Sequence, residues 1–160
     1  MTQYIKNPKS YKEVLMRILI DADGCPVVDI AVRLATEHNI ECFILCDTSH
    51  VFDKDGATTL TFSKGADSVD YALVNRVLAG DIVITQDYGL AAMCLSRNAL
   101  VINQDGMEYT SDNIDALLLA RHTAKKIRNS GGRLKGPSKR EAFQDESFET
   151  ELAHLLNNQK

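Results

Sequence analysis

Apolar residues recur along the chain in short unbroken runs, separated by segments whose apolar positions fall at helical spacing. Residues 1–15 carry no such period and read as an N-terminal tail or extension, with Met16 as an alternative start. From Arg17 the pattern turns regular. Residues 18–21 form a short apolar strand. The Asp23-Gly24 turn then leads to Pro26, suited to the first position of a helix reaching about His38. Residues 41–46 read as a second strand, 47–56 as a polar loop and 58–62 as a third strand rich in threonine.

A turn at Ser63-Lys64-Gly65 precedes a helix over about 67–78. Residues 81–85 are a fourth strand, 88–98 a short helix, 99–102 a fifth strand and 103–109 a loop. Ser111 opens a helix with Ile114, Leu117 and Leu118 on one face. Its continuation places Arg121, Lys125 and Arg128 at helical spacing, so that one face becomes basic. Residues 131–137, with three glycines and a proline, break the pattern. A last amphipathic helix follows, with Phe143, Phe148, Leu152 and Leu155 on its apolar side. Five apolar strands alternating with helices predict an α/β fold: a three-layer α/β/α domain over residues 16–156 with a mostly parallel five-stranded sheet.

The 160 residues are 44% hydrophobic and 25% charged, which fits one globular domain and excludes a disordered or fibrous chain. No apolar run approaches the roughly 20 residues that span a bilayer, and the N-terminus lacks a signal-peptide core. A cytoplasmic protein without membrane contact is therefore expected. Cys25, Cys42, Cys46 and Cys94 include no C-x-x-C pair and read as structural thiols. For Cys25, placed near a helix N-terminus, a reactive thiolate is the alternative.

The net charge of −4 hides an uneven distribution. Residues 1–120 hold 9 basic against 17 acidic residues, whereas residues 121–140 hold 8 basic residues and no acid. Such a block predicts either a polyanion contact or an internal counter-charge. Lys64, Arg121, Lys125, Arg128, Arg133 and Lys135 are its candidate nucleic-acid ligands, Lys64 being a loop lysine outside the block.

Ligands of parallel sheets bind outside the carboxyl ends of the strands, where the strand order reverses. Those ends carry acids: Asp21 and Asp23 after the first strand, Asp67 and Asp70 after the third, Asp87 after the fourth and Asp105 after the fifth. Converging carboxylates repel and raise one another's pKa unless a cation neutralises them. All-oxygen ligands select a hard ion, so Mg²⁺ or Mn²⁺ is the expected cofactor, with no organic one. Three of these acids also have a structural reading, Asp23-Gly24 and Asp105-Gly106 as turns and Asp67 as a helix cap, whereas Asp21 directly ends a buried apolar strand and reads as functional. Thr85 reads as capping the next helix or orienting Asp87.

The segments DADGCPV (residues 21–27), KGADSVDYALV (64–74), DIVITQDYGLA (81–91) and GGRLKGPSKREAF (131–143) resemble the YaiI/YqxD family of bacterial proteins. That family is grouped with PIN-like domains, nucleases that gather carboxylates around divalent metal. The resemblance implies metal-site and catalytic roles for Asp21, Asp23, Asp70 and Asp87, with Asp67 as a neighbour. Family members often carry an acid where this chain has Asn103. Either Asp105 substitutes or the fourth corner of the site is weaker.

The expected function is a divalent-metal-dependent nuclease acting on RNA, with RNA and a second copy of the chain as expected partners. The alternatives are a non-catalytic RNA- or ribosome-associated module and a phosphatase of the haloacid-dehalogenase type, in which Asp21 and Asp23 would be nucleophile and general acid.

Overall fold

The computed structural model describes residues 15–50, 52–65, 68–136 and 138–158. Its elements follow the predicted alternation: β1 (Arg17–Asp21), α1 (Val28–Glu37), β2 (Glu41–Asp47), β3 (Thr58–Phe62), α2 (Ser68–Arg76), β4 (Ile82–Ile84), α3 (Tyr88–Leu95), β5 (Leu100–Ile102), β6 (Glu108–Tyr109), α4 (Ile114–Asn129) and α5 (Ala142–Asn157). The sheet order is β3-β2-β1-β4-β5-β6. The first five strands pair in parallel, and β6 runs antiparallel to β5.

Two expectations need correction. The sheet has six strands rather than five, because Glu108 and Tyr109, expected in a loop, add a two-residue edge strand to β5. The first helix begins at Val28 rather than Pro26. The Cys25 amide closes a turn onto the Ala22 carbonyl at 3.0 Å, and Gly24 sits in the left-handed region at φ 72°, so the chain needs two more residues before it can coil.

Side-chain alternation along each strand feeds two apolar layers. On one face Ile18, Ile20, Ile44, Ile84 and Ile102 pack with α1 and with Phe148 and Leu152 of α5. On the other, Leu19, Leu45, Val83 and Val101 pack with Leu73 of α2, Leu90 and Cys94 of α3 and Ile114 of α4. Asp21 follows Leu19 by two residues and Thr85 follows Val83 by two, so both side chains fall on the α2–α3–α4 side.

The order of the strands positions the site. The chain steps from β1 to β2 to β3 and then returns to the other side of β1 as β4. This reversal opens a crevice beyond the carboxyl ends of β1 and β4, where Asp21, Thr85 and Asp87 lie. At the opposite end, buried Asp81 accepts from the Arg17 side chain (Nε at 3.2 Å, Nη2 at 2.5 Å) and from the Arg17 and Leu78 amides, tying β1 to the start of β4. None of the described helices is long and apolar enough to cross a membrane.

Candidate functional site

The crevice is an open cleft of about 500 Å³ lined by Asp21, Asp23, Asp47, Asp70 and Asp87, with Arg121 on its rim. Each acid arrives on a different element. Asp21 closes β1, Asp23 stands in the turn after it, Asp47 closes the neighbouring β2, Asp70 lies in the first turn of α2, and Asp87 caps α3. Four of the six expected acids, Asp21, Asp23, Asp70 and Asp87, therefore share one cavity. Asp67 lies outside the described residues.

Asp21 is the hub. The Thr85 hydroxyl donates to its Oδ2 at 2.8 Å, and the same hydroxyl oxygen accepts the Asp87 amide at 3.0 Å. Thr85 thus links the acids at the ends of β1 and β4, a wider role than orienting Asp87 alone. Burial pushes the Asp21 carboxyl up to about 6 from its ordinary 3.8. The Thr85 hydrogen bond opposes that rise, while the charges of Asp70, Asp23 and Asp87 add to it.

Asp87 carries a structural duty as well. Its Oδ1 accepts the amides of Gly89 (2.8 Å) and Leu90 (3.1 Å) and lies 3.4 Å from Arg121 Nη1. Asp23 Oδ2 accepts the Asp47 amide at 3.0 Å and braces the end of β2. Its other oxygen, Oδ1, is buried without a hydrogen-bond partner, although His50 Nδ1 stands 2.8 Å away. The contact is close but not aligned for a hydrogen bond.

Asp47 and His50 went unnoticed in the sequence because they begin a polar stretch that reads as loop. The signal was nevertheless present, since Asp47 ends a buried strand just as Asp21 does. The Ser49 hydroxyl and amide both donate to Asp47 and hold its carboxyl below the usual carboxylate range. Donor atoms of Asp23, Asp47 and His50 lie within 4.8 Å of one another, close enough for one metal ion. Asp23 Oδ1, buried without a hydrogen bond and in ion-pair contact with His50, faces the Asp47 carboxylate, and the three together form a donor group of the kind that can hold a cation.

The remaining expected residues lie elsewhere. Asp105, expected as a metal ligand, is not among the residues that line the cleft. It accepts Arg140 Nη1 at 2.7 Å and Gln144 Nε2 at 3.2 Å, and so fastens the 103–107 turn to the segment leading into α5. Asn103 organises that turn through its side-chain oxygen, which accepts the amides of Asp105 and Met107 at 2.9 Å each. Of the basic candidates, Arg121 reaches the cleft. Lys125 and Arg128 are exposed further along α4, and Lys64, Arg133 and Lys135 are exposed outside helices and strands. Burial pushes the Cys25 thiol up to about 11, away from the thiolate form that a reactive cysteine needs.

Comparison with known proteins places this arrangement among relatives. The model of a family described as "Uncharacterized BCR, YaiI/YqxD family" matches residues 19–158. A UPF0178 protein of Exiguobacterium sibiricum is 53% identical over 141 residues, covering 88% of this chain and 96% of that protein. A UPF0178 protein of Clostridium acetobutylicum is 46% identical over 143 residues, covering 88% and 97%. No solved structure matches the chain.

Proposed function

The chain belongs to the YaiI/YqxD family, and from the chemistry of its cleft we propose that it is a divalent-metal-dependent phosphodiesterase acting on RNA. One observation carries the reading. The cleft at the sheet's reversal point is lined by five carboxylates, one of them resistant to ionising on its own, and holds a buried carboxylate oxygen without a hydrogen-bond partner. Charges gathered in this way cost stability unless a cation repays them.

Asp23, Asp47 and His50, whose donor atoms lie within 4.8 Å of one another, would hold one ion, and Asp21, Asp70 and Asp87 across the same cleft would supply the further oxygen ligands. Oxygen donors suit Mg²⁺ or Mn²⁺, and the imidazole tilts the set toward Mn²⁺. A bound divalent ion supplies a water of lowered pKa and stabilises the phosphoryl oxygens of an in-line displacement. Thr85 keeps Asp21 oriented, and Asp21 takes up a proton near pH 6 when no cation is bound. Arg121 on the rim, with Lys125 and Arg128 further along α4, would hold the phosphates of a strand leaving the cleft.

The purified protein should cleave single-stranded RNA with Mn²⁺ and stop on chelation. Binding should weaken with salt. If about four phosphates are neutralised, the log–log slope is roughly −3, from about 0.7 per phosphate on a single strand. Replacing Arg121, Lys125 and Arg128 with Gln should flatten it by roughly 2. A salt-independent affinity, or an unchanged slope in the triple variant, would remove α4 from the RNA contact. RNA binding without cleavage would favour the non-catalytic module, because Asp87 and Asp23 also have structural duties. Turnover of a phosphomonoester but not of RNA would favour the phosphatase.

A further inference from the structure

A second, smaller hollow adjoins the cleft. It holds about 190 Å³ and shares Asp70, Asp87 and Arg121 with the acidic site, but its other walls are of a different character: Tyr71, Leu90 and Met93. The helices dictate this change. Successive helical residues are rotated by about 100°, so Tyr71 flanks Asp70 and lies just outside the carboxylate cluster. Leu90 and Met93, three apart on α3, stack on one face. Gly89 contributes no side chain to this wall, where a Cβ would stand 3.2 Å from Asp87 Oδ1 and 3.7 Å from Arg121 Nη1.

Two apolar groups here are not buried by the fold. Tyr71 is 62% exposed and Met93 37%, while Leu90, which also lines the hollow, is 1% exposed. An aromatic face, a polarizable thioether and a guanidinium around a hollow smaller than the roughly 300–1,000 Å³ of drug-sized sites suit one flat heterocycle. The residues it shares with the acidic cleft, Arg121 among them, put a phosphate attached to such a ring within reach of that cleft.

We propose that this hollow is a nucleobase subsite: an unpaired base stacks on Tyr71 against Met93 while Arg121 contacts its phosphate. The identity of the adjoining site rests on the phosphodiesterase reading. Bases inside a duplex are already stacked and cannot enter, so the subsite selects single strands.

The test uses the full chain with Ca²⁺ and a short labelled oligoadenylate, read by fluorescence anisotropy, beside an abasic strand of equal length. Tyr71→Ala should weaken oligoadenylate binding roughly 5- to 150-fold, the range of a base–aromatic stack, and leave the abasic strand unaffected. Tyr71→Phe should retain the affinity. Both substitutions lie at an exposed position, and circular dichroism should report an unchanged fold. Undiminished oligoadenylate binding by Tyr71→Ala, an equal loss for the abasic strand, or no binding by the parent would overturn the subsite. Tyr71-dependent binding without Mn²⁺-dependent cleavage would leave the subsite standing and bring down the phosphodiesterase reading alone.

Discussion

Replacing Asp21 with Asn is expected to stabilise the metal-free protein at pH 8 by up to about 3 kcal/mol and to abolish Mn²⁺-dependent cleavage. Burial, and then the neighbouring acids, push the Asp21 carboxyl from 3.8 to about 6 against the pull of Thr85. A carboxyl whose pKa is higher in the folded than in the unfolded chain binds its proton more tightly when folded. Its contribution is therefore fully present below about pH 3.8, declines as pH rises and is lost above about 6. Asn keeps the acceptor for the Thr85 hydroxyl and removes the charge, so the gain should appear at pH 8 and vanish at pH 4. Denaturant unfolding in chelator at both pH values measures it. A purely structural acid behaves in the opposite way, since loss of a helix cap typically costs about 1 kcal/mol. A variant destabilised at pH 8, or one that still cleaves, contradicts the role given to Asp21.

The largest loss of stability should come from the other end of the strands. Asp81 is 1% exposed and accepts four hydrogen bonds, three from Arg17 and one from the Leu78 amide. Arg17 in turn donates to the Arg76 carbonyl at 2.8 Å and lies over the Phe43 ring. Asp81→Ala removes the charge at the centre of this node and strands the Leu78 amide. Arg17 keeps part of its side chain in solvent, so the loss should lie nearer the roughly 1.5–3 kcal/mol of a hydrogen bond to a charged group than the penalty of a fully buried pair. That is still a sizeable part of the roughly 5–15 kcal/mol that holds a domain together. The midpoint of urea unfolding should fall accordingly, while the folded fraction keeps the Mn²⁺ affinity of the parent. An unchanged midpoint would show that Arg17 and Asp81 do not form this pair in solution.

The strands were legible because each central one is buried on both faces and leaves an unbroken apolar run, as in Ile18-Leu19-Ile20 and Ile82-Val83-Ile84. The edge strand β6 was not, because two residues in a polar stretch carry no period. The rule that ligands bind at strand ends picks out Asp21, Asp23, Asp70 and Asp87, and these four do line one cleft. Applied to the second strand it would also have found Asp47, whose run of polar neighbours disguised it as loop.

The place of Asp105 was not legible for a different reason. Its partner Arg140 is 35 residues away in sequence, and only the fold reveals the pair. The basic block likewise divides once folded. Arg121 reaches the cleft, Arg140 is spent on Asp105 and Asp145, and Lys125 and Arg128 face solvent. A run of like charges along the chain is thus three different things in space.

The central claim is that the strand-end carboxylates hold a divalent ion, and anomalous diffraction from crystals soaked in Mn²⁺ tests it most directly. The account predicts an anomalous peak inside the cleft within ligand distance of Asp21 or Asp23. Crystals that diffract well yet show no Mn²⁺ peak there, or show the ion only at sites remote from these residues, would contradict it.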